Sequence, residues 1–142
     1  MLESLREKLL LALRMLELYT MPPKITKLAN LIKDYEGGPG DRNFRNLNPG
    51  NCRFHHGGYL KKYGKVLEDK DGFAIFSSYD VGFAYLCNML LNWAKTSRKD
   101  WTIHQLMASY APNSDGNDPV NYAKYLTARL GVDSGTLLGE LL

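Results

Sequence analysis

Apolar residues recur near the start of the chain at intervals of three and four. Leu2, Leu5, Leu9, Leu13 and Leu16 fall on one stripe, which predicts an amphipathic helix over residues 1–20. Thr20-Met21-Pro22-Pro23 interrupts it, because proline cannot continue a helix and restricts the residue before it. Ile25, Leu28, Ala29, Ile32 and Tyr35 then keep helical spacing until Gly37-Gly38-Pro39-Gly40, leaving Glu36 as the last residue before the stop. Residues 41–63 are rich in Asn, Gly and Arg and show no period, so they read as a long structured loop, of the kind that usually carries function in a compact domain.

Val66-Leu67 and the alternating Phe73-Ala74-Ile75-Phe76 flank Glu68-Asp69-Lys70-Asp71-Gly72, which predicts a β-hairpin turning near Asp71-Gly72 and the only sheet. Ser77 with Asp80 resembles a capping box ahead of a long apolar face formed by Phe83, Leu86, Cys87, Leu90 and Ala94. Asp100 is the expected cap of a shorter helix bearing Ile103, Leu106, Met107 and Tyr110, ending before Pro112. Asp118-Pro119 opens a last helix with Val120, Ala123, Leu126 and Leu130 on its apolar face, stopped at Gly131. The predicted fold class is α+β, mainly α, with an N-terminal helix (1–20) and one domain over 24–138.

With 142 residues, 44% hydrophobic and 23% charged, the chain has the size and composition of one globular domain and not of a disordered or membrane-spanning protein. Its net charge of +3 favours approach to an anionic polymer without saying which. Cys52 and Cys87 lack metal-ligand spacing and read as core thiols; His55 and His56 are adjacent and His104 is alone, so no metal and no cofactor is expected. The longest apolar run of the N-terminal segment, Leu9 to Leu13, ends at Arg14 with no small-residue cleavage site, which fits neither a signal peptide nor a membrane span. The expected starting location is therefore cytoplasmic. The leucine stripe is expected to pack on its own domain, with a partner, a second copy or a membrane surface as the other occupants.

Glu36 holds the clearest candidate chemistry. It continues the row Ile25, Ala29, Ile32 at four-residue spacing, which puts a carboxylate on or beside the buried face. Partial desolvation there raises its pKa, as a general acid needs; a helix-end glutamate turned outward is the plain alternative. Asn46, Asn48 and Asn51 place three amides around a Pro49-Gly50 turn, suited either to the hydroxyl and N-acetyl groups of an amino sugar or to bonding their own loop. Tyr110, Tyr79, Phe54 and Tyr59 are candidates for stacking on sugar faces, whereas Phe83 and Tyr125 read as core.

Ile32-Lys33-Asp34-Tyr35-Glu36-Gly37, Arg45-Asn46-Leu47-Asn48-Pro49-Gly50-Asn51, Asp71-Gly72-Phe73-Ala74-Ile75-Phe76 and Tyr110-Ala111-Pro112, in that order, resemble a group of small phage and bacterial peptidoglycan hydrolases. The resemblance spans roughly Ile25 to Val132. It implies a lysozyme-like domain, a muramidase or lytic transglycosylase cutting the β-1,4 bond between N-acetylmuramic acid and N-acetylglucosamine, Glu36 as the acid, and Asn48, Asn51 and Tyr110 in the sugar cleft. The family often has a hydrophobic residue where Cys52 stands. It also differs from Asn113-Ser114-Asp115-Gly116-Asn117-Asp118, so neither Asp115 nor Asp118 inherits a role.

A glycosidase of ordinary type needs a second carboxylate, for which Asp41, Asp71, Asp115 and Asp118 are candidates, Asp71 also reading as a turn residue and Asp118 as a helix cap. If none serves, Glu36 protonates the leaving oxygen and then deprotonates the muramic 6-hydroxyl. Two other readings stand beside these. One is a non-catalytic cell-wall-binding or virion structural module. The other is a nucleic-acid binder using Arg42, Arg45, Arg53, Lys61, Lys62 and Lys65 near Phe44, Phe54 and Tyr59, although no specific nucleic acid is expected.

Overall fold

The computed structural model describes residues 2–55 and 60–142, and the side chains from residue 4 onward within them. His56 and Tyr59, among the residues considered above, lie outside this set, as does the side chain of Leu2. The fold is mainly α with a small antiparallel sheet, in the order α1 (Leu2–Leu16), α2 (Pro23–Glu36), α3 (Arg42–Arg45), β1 (Leu67–Glu68), β2 (Ala74–Ile75), α4 (Tyr79–Lys95), α5 (Ile103–Tyr110) and α6 (Pro119–Leu130). In the sheet Leu67 lies opposite Ile75 and Glu68 opposite Ala74.

The core forms where helix faces converge. Ile25, Leu28, Ala29 and Ile32 bury one side of α2, which packs against α4 and α6. Helix α4 is central: Leu86, Cys87 and Leu90 are fully buried, and α6, which buries Tyr122, Ala123 and Leu126, packs against α5 as well as α2. The starts of α4, α5 and α6 are each stabilised by a side chain that answers a backbone N–H with no partner inside the helix, whereas α2 opens on Pro23, whose missing N–H needs none. The caps differ from two of the expected ones. Ser78, not Ser77, accepts from the Val81 N–H, and α5 is capped by Thr102, in a capping box with Gln105, and not by Asp100. Asp118 caps α6 with Pro119 in the first turn, and α6 stops at Gly131.

Three further expectations are corrected. Val120 is exposed and Tyr122 takes its place on the buried face of α6. The stretch 41–63 contains α3 and a 3-10 turn, Leu60–Tyr63, instead of loop throughout. The N-terminal helix does rest on the domain, against α4 and the Leu60–Tyr63 turn, but through Leu11, Met15 and Leu18. The stripe of Leu5, Leu9, Leu13 and Leu16 faces outward, each 55–59% exposed. Another 3-10 turn, Leu138–Leu141, covers the base of α4 by burying Leu138 and Leu141.

Candidate functional site

A cleft of about 930 Å³ is lined by Glu36 at the end of α2, Arg42 and Arg45 of α3, Asn51 to Arg53, Asp71 and Phe73 of the hairpin turn, Met89 and Trp93 of α4, Tyr110 at the end of α5 and Asp115 beyond it. Glu36 is half-buried there because α2 ends with this residue still in register with its buried row.

The loop after α3 is built to hold Asn51 against Glu36. The Asn51 N–H donates to the Asn48 carbonyl at 3.0 Å, closing a turn with Pro49 and Gly50 at its centre. Asn51 then takes a left-handed backbone, φ 47°, which asparagine tolerates better than most residues. Its Nδ2 donates to Glu36 Oε1 at 2.9 Å. Gly50 is required by close approach: a Cβ there would lie 2.7 Å from the Tyr110 hydroxyl and 2.8 Å from Leu86. The Tyr110 hydroxyl donates to the Gly50 carbonyl, pinning the turn to α5.

Burial raises the Glu36 pKa above the ordinary 4.5, against the opposing effects of Tyr122, Asn51 and the Arg42 cation. The Tyr122 hydroxyl interacts with the Glu36 carboxyl but completes no hydrogen bond of ordinary geometry. Burial likewise pushes the Cys52 thiol up to about 12, with its Sγ 3.8 Å from the Tyr110 hydroxyl. Cys52 and Cys87 are both free and buried.

The amides expected to meet a sugar divide. Asn51 and Tyr110 line the cleft with Glu36, whereas Asn46 and Asn48 do not. Asn48 is fully buried, donating to the Cys52 and Ala74 carbonyls at 2.9 and 2.8 Å and accepting from the Cys52 N–H at 2.9 Å. Its amide closes the loop on Cys52 at both ends and ties it to Ala74 of β2, which leaves nothing to offer a substrate. Asn46 donates to Asp69 at 2.8 Å and is a loop anchor for the same reason.

The expected second carboxylates divide too. Asp71 lines the cleft with Asp41 and Asp115, and all three are exposed; Asp118 is outside the lining and is occupied at the start of α6 by the Asn121 N–H and amide. Tyr79 packs edge-on to Phe44, and Phe54 packs against the core, so neither presents a ring to the cleft. Arg42 and Arg53 lie over the Phe73 ring at 4.1 and 4.2 Å, and Arg53 pairs with Asp115 at 3.3 Å, joining the hairpin to the segment after α5. Lys61, Lys62 and Lys65 are exposed away from this lining.

Three contributors had escaped the sequence reading. Asn43 is fully buried and its Nδ2 lies 3.2–3.4 Å from the Lys33, Gly37 and Pro49 carbonyls, joining the end of α2 to the Asn51 turn. Asp69 accepts from the Asp71 and Phe73 N–H groups and so shapes the hairpin turn. Tyr122 sits beside Glu36; a tyrosine on a buried helix face calls for a polar partner, which was the available signal. No family model, curated protein or solved structure matches this chain. Among the described residues, no cluster of His, Cys, Asp and Glu is arranged to hold a metal ion.

Proposed function

We propose that this protein cleaves peptidoglycan glycan strands with Glu36 as the proton donor. The observation that carries this reading is a half-buried carboxyl in the large cleft, its pKa raised by desolvation and its direction set by Asn51. Protonated Glu36 gives its proton to the bridging oxygen as the C1–O bond breaks, and the resulting carboxylate can then take a proton from the group that adds to C1. Asn51 suits both states, because its Nδ2 donates to the carboxylate and the amide, turned over, accepts from the acid.

The setting of Glu36 favours a route with a single acid. Burial, Tyr122, Asn51 and Arg42 set its pKa, while Asp41, Asp71 and Asp115 sit exposed at the rim. In that route the 6-hydroxyl of the muramic residue adds to C1, Glu36 takes the hydroxyl proton, and a 1,6-anhydro end forms. The alternative is water adding to C1, which leaves a reducing end.

Mass spectrometry of digested peptidoglycan tests the proposal. Anhydromuropeptides from the wild-type chain and none from Glu36→Gln are expected. Reducing muramic ends would keep the acid and replace the route. Binding to wall with no cleavage at any pH would show a non-catalytic module and refute the proposal.

A further inference from the structure

The outward face of α1 is an apolar surface that the cleft around Glu36 does not use. Leu5, Leu9, Leu13 and Leu16 are each 55–59% exposed and Leu10 is 38% exposed, while Leu11, Met15 and Leu18 fix the opposite side of the segment to the domain. The stripe is therefore held in a set direction. We infer that it is a self-complementary interface on which a second copy of this chain docks antiparallel, about a two-fold axis passing at Leu9.

Spacing carries the assignment. Leu5 and Leu13 each lie four residues from Leu9, and Leu2 and Leu16 each lie seven. The stripe reads the same in both directions, so a two-fold rotation at Leu9 sets Leu5 against Leu13 of the second copy and Leu9 against itself. That is the condition for an isologous contact, in which one patch serves both subunits. A hollow of about 340 Å³ lined by Leu10, Leu13, Arg14, Leu16, Glu17 and Thr20 continues the same face toward the end of the segment.

Charge favours the second copy over a lipid surface. Glu3, Glu7 and Glu17 balance Arg6, Lys8 and Arg14, and the Arg14–Glu17 pair is already closed at 2.9 Å. A helix that lies on anionic lipid carries a cationic excess beside its apolar face, and this one has none. The exposed leucine surface is on the order of 500 Å² per chain, below the roughly 800 Å² per partner of a standard interface, so the dimer is a weak one.

Sedimentation and cysteine cross-linking test it on the full chain. The wild-type mass should rise from monomer to dimer as concentration passes through the micromolar range, and Leu9→Glu should remain monomeric throughout because it opposes two like charges at the axis. On mild oxidation Leu9→Cys should cross-link to itself, whereas Leu5→Cys should cross-link efficiently only when mixed with Leu13→Cys; buried Cys52 and Cys87 do not compete. A wild-type chain still monomeric at about 500 µM overturns the inference. So does a dimer indifferent to Leu9→Glu, cross-linking of Leu9→Cys no faster than of the exposed control Lys124→Cys, or binding to phosphatidylglycerol vesicles through α1 without dimers.

Discussion

Replacing Asn48 by alanine should cost far more stability than its place in a surface-sounding Asn-Pro-Gly-Asn turn implies. The side chain is fully buried and makes three hydrogen bonds of 2.8–2.9 Å, two to carbonyls and one from an N–H. Alanine leaves those three backbone groups in place with no partner. A buried polar group left unpaired costs about 1–3 kcal/mol, and a water entering the vacated polar space recovers part of the sum, so a net loss of about 3–5 kcal/mol is expected. Against a typical domain stability of about 5–15 kcal/mol that is a large fraction. With an m-value of about 1–3 kcal/mol/M, the urea midpoint should fall by more than about 1 M. Urea titration followed by circular dichroism, with wall clearance normalised to the folded fraction, separates the effects. A variant within about 1 kcal/mol of wild type, yet inactive when folded, would refute the reasoning and return Asn48 to the substrate.

Glu36→Gln should abolish wall clearance and raise the melting temperature near neutral pH. The raised pKa means that the folded protein holds this proton more tightly than the unfolded chain; below about pH 4 both are protonated and the group contributes nothing, and stability is lost as pH rises through the raised value. Thermal melts of both proteins across pH should therefore converge at acid pH. Asn51→Ala removes a donor that lowers the Glu36 pKa, so the alkaline limb of its pH–activity profile should move up, while stability falls by about 1.5–3 kcal/mol as the lost hydrogen bond adds to the cost of alanine in a left-handed backbone. Gly82→Ala should lose more than about 2 kcal/mol in urea titration, because its Cβ would lie 2.1 Å from the Leu47 carbonyl oxygen and force α4 away from the Asn48 turn.

Local signals were legible wherever the cause is local. Pro22-Pro23 and Asp118-Pro119 mark helix starts through the chemistry of one or two residues, and the hairpin fell where alternating apolar positions flank a glycine turn. The caps at Ser78 and Thr102 were misplaced by one or two residues because several polar side chains precede each helix and only the path of the chain selects among them. The α1 stripe shows a different limit. Periodicity identifies an apolar face but not what meets it, and the neighbouring residues Leu11, Met15 and Leu18 were taken by the domain instead.

Within the site, Glu36 was readable because its row is internal to one helix, and the roles of the amides were not. Asn48 is committed to Ala74, 26 residues away, and Asn46 to Asp69, 23 away. Partners at that separation leave no trace in local spacing. Asn43 is the same case: three short-looking neighbours in sequence terms, yet its function is to hold two segments whose meeting only the fold defines.

The two buried thiols give this protein a pair of internal clocks. A thiol alkylates only as thiolate and only when reached, and Cys52, with its pKa pushed up to about 12, is shut against both while the Asn51 turn lies closed beneath Tyr110. Cys87, fully buried on the central helix, needs the core itself to open. The rate at which a small reagent captures Cys52 therefore reports how often the turn beside Glu36 breathes, and the rate at Cys87 reports how often the whole domain does. The ratio of the two, followed through a titration with substrate, measures the rigidity of the cleft apart from the stability of the fold.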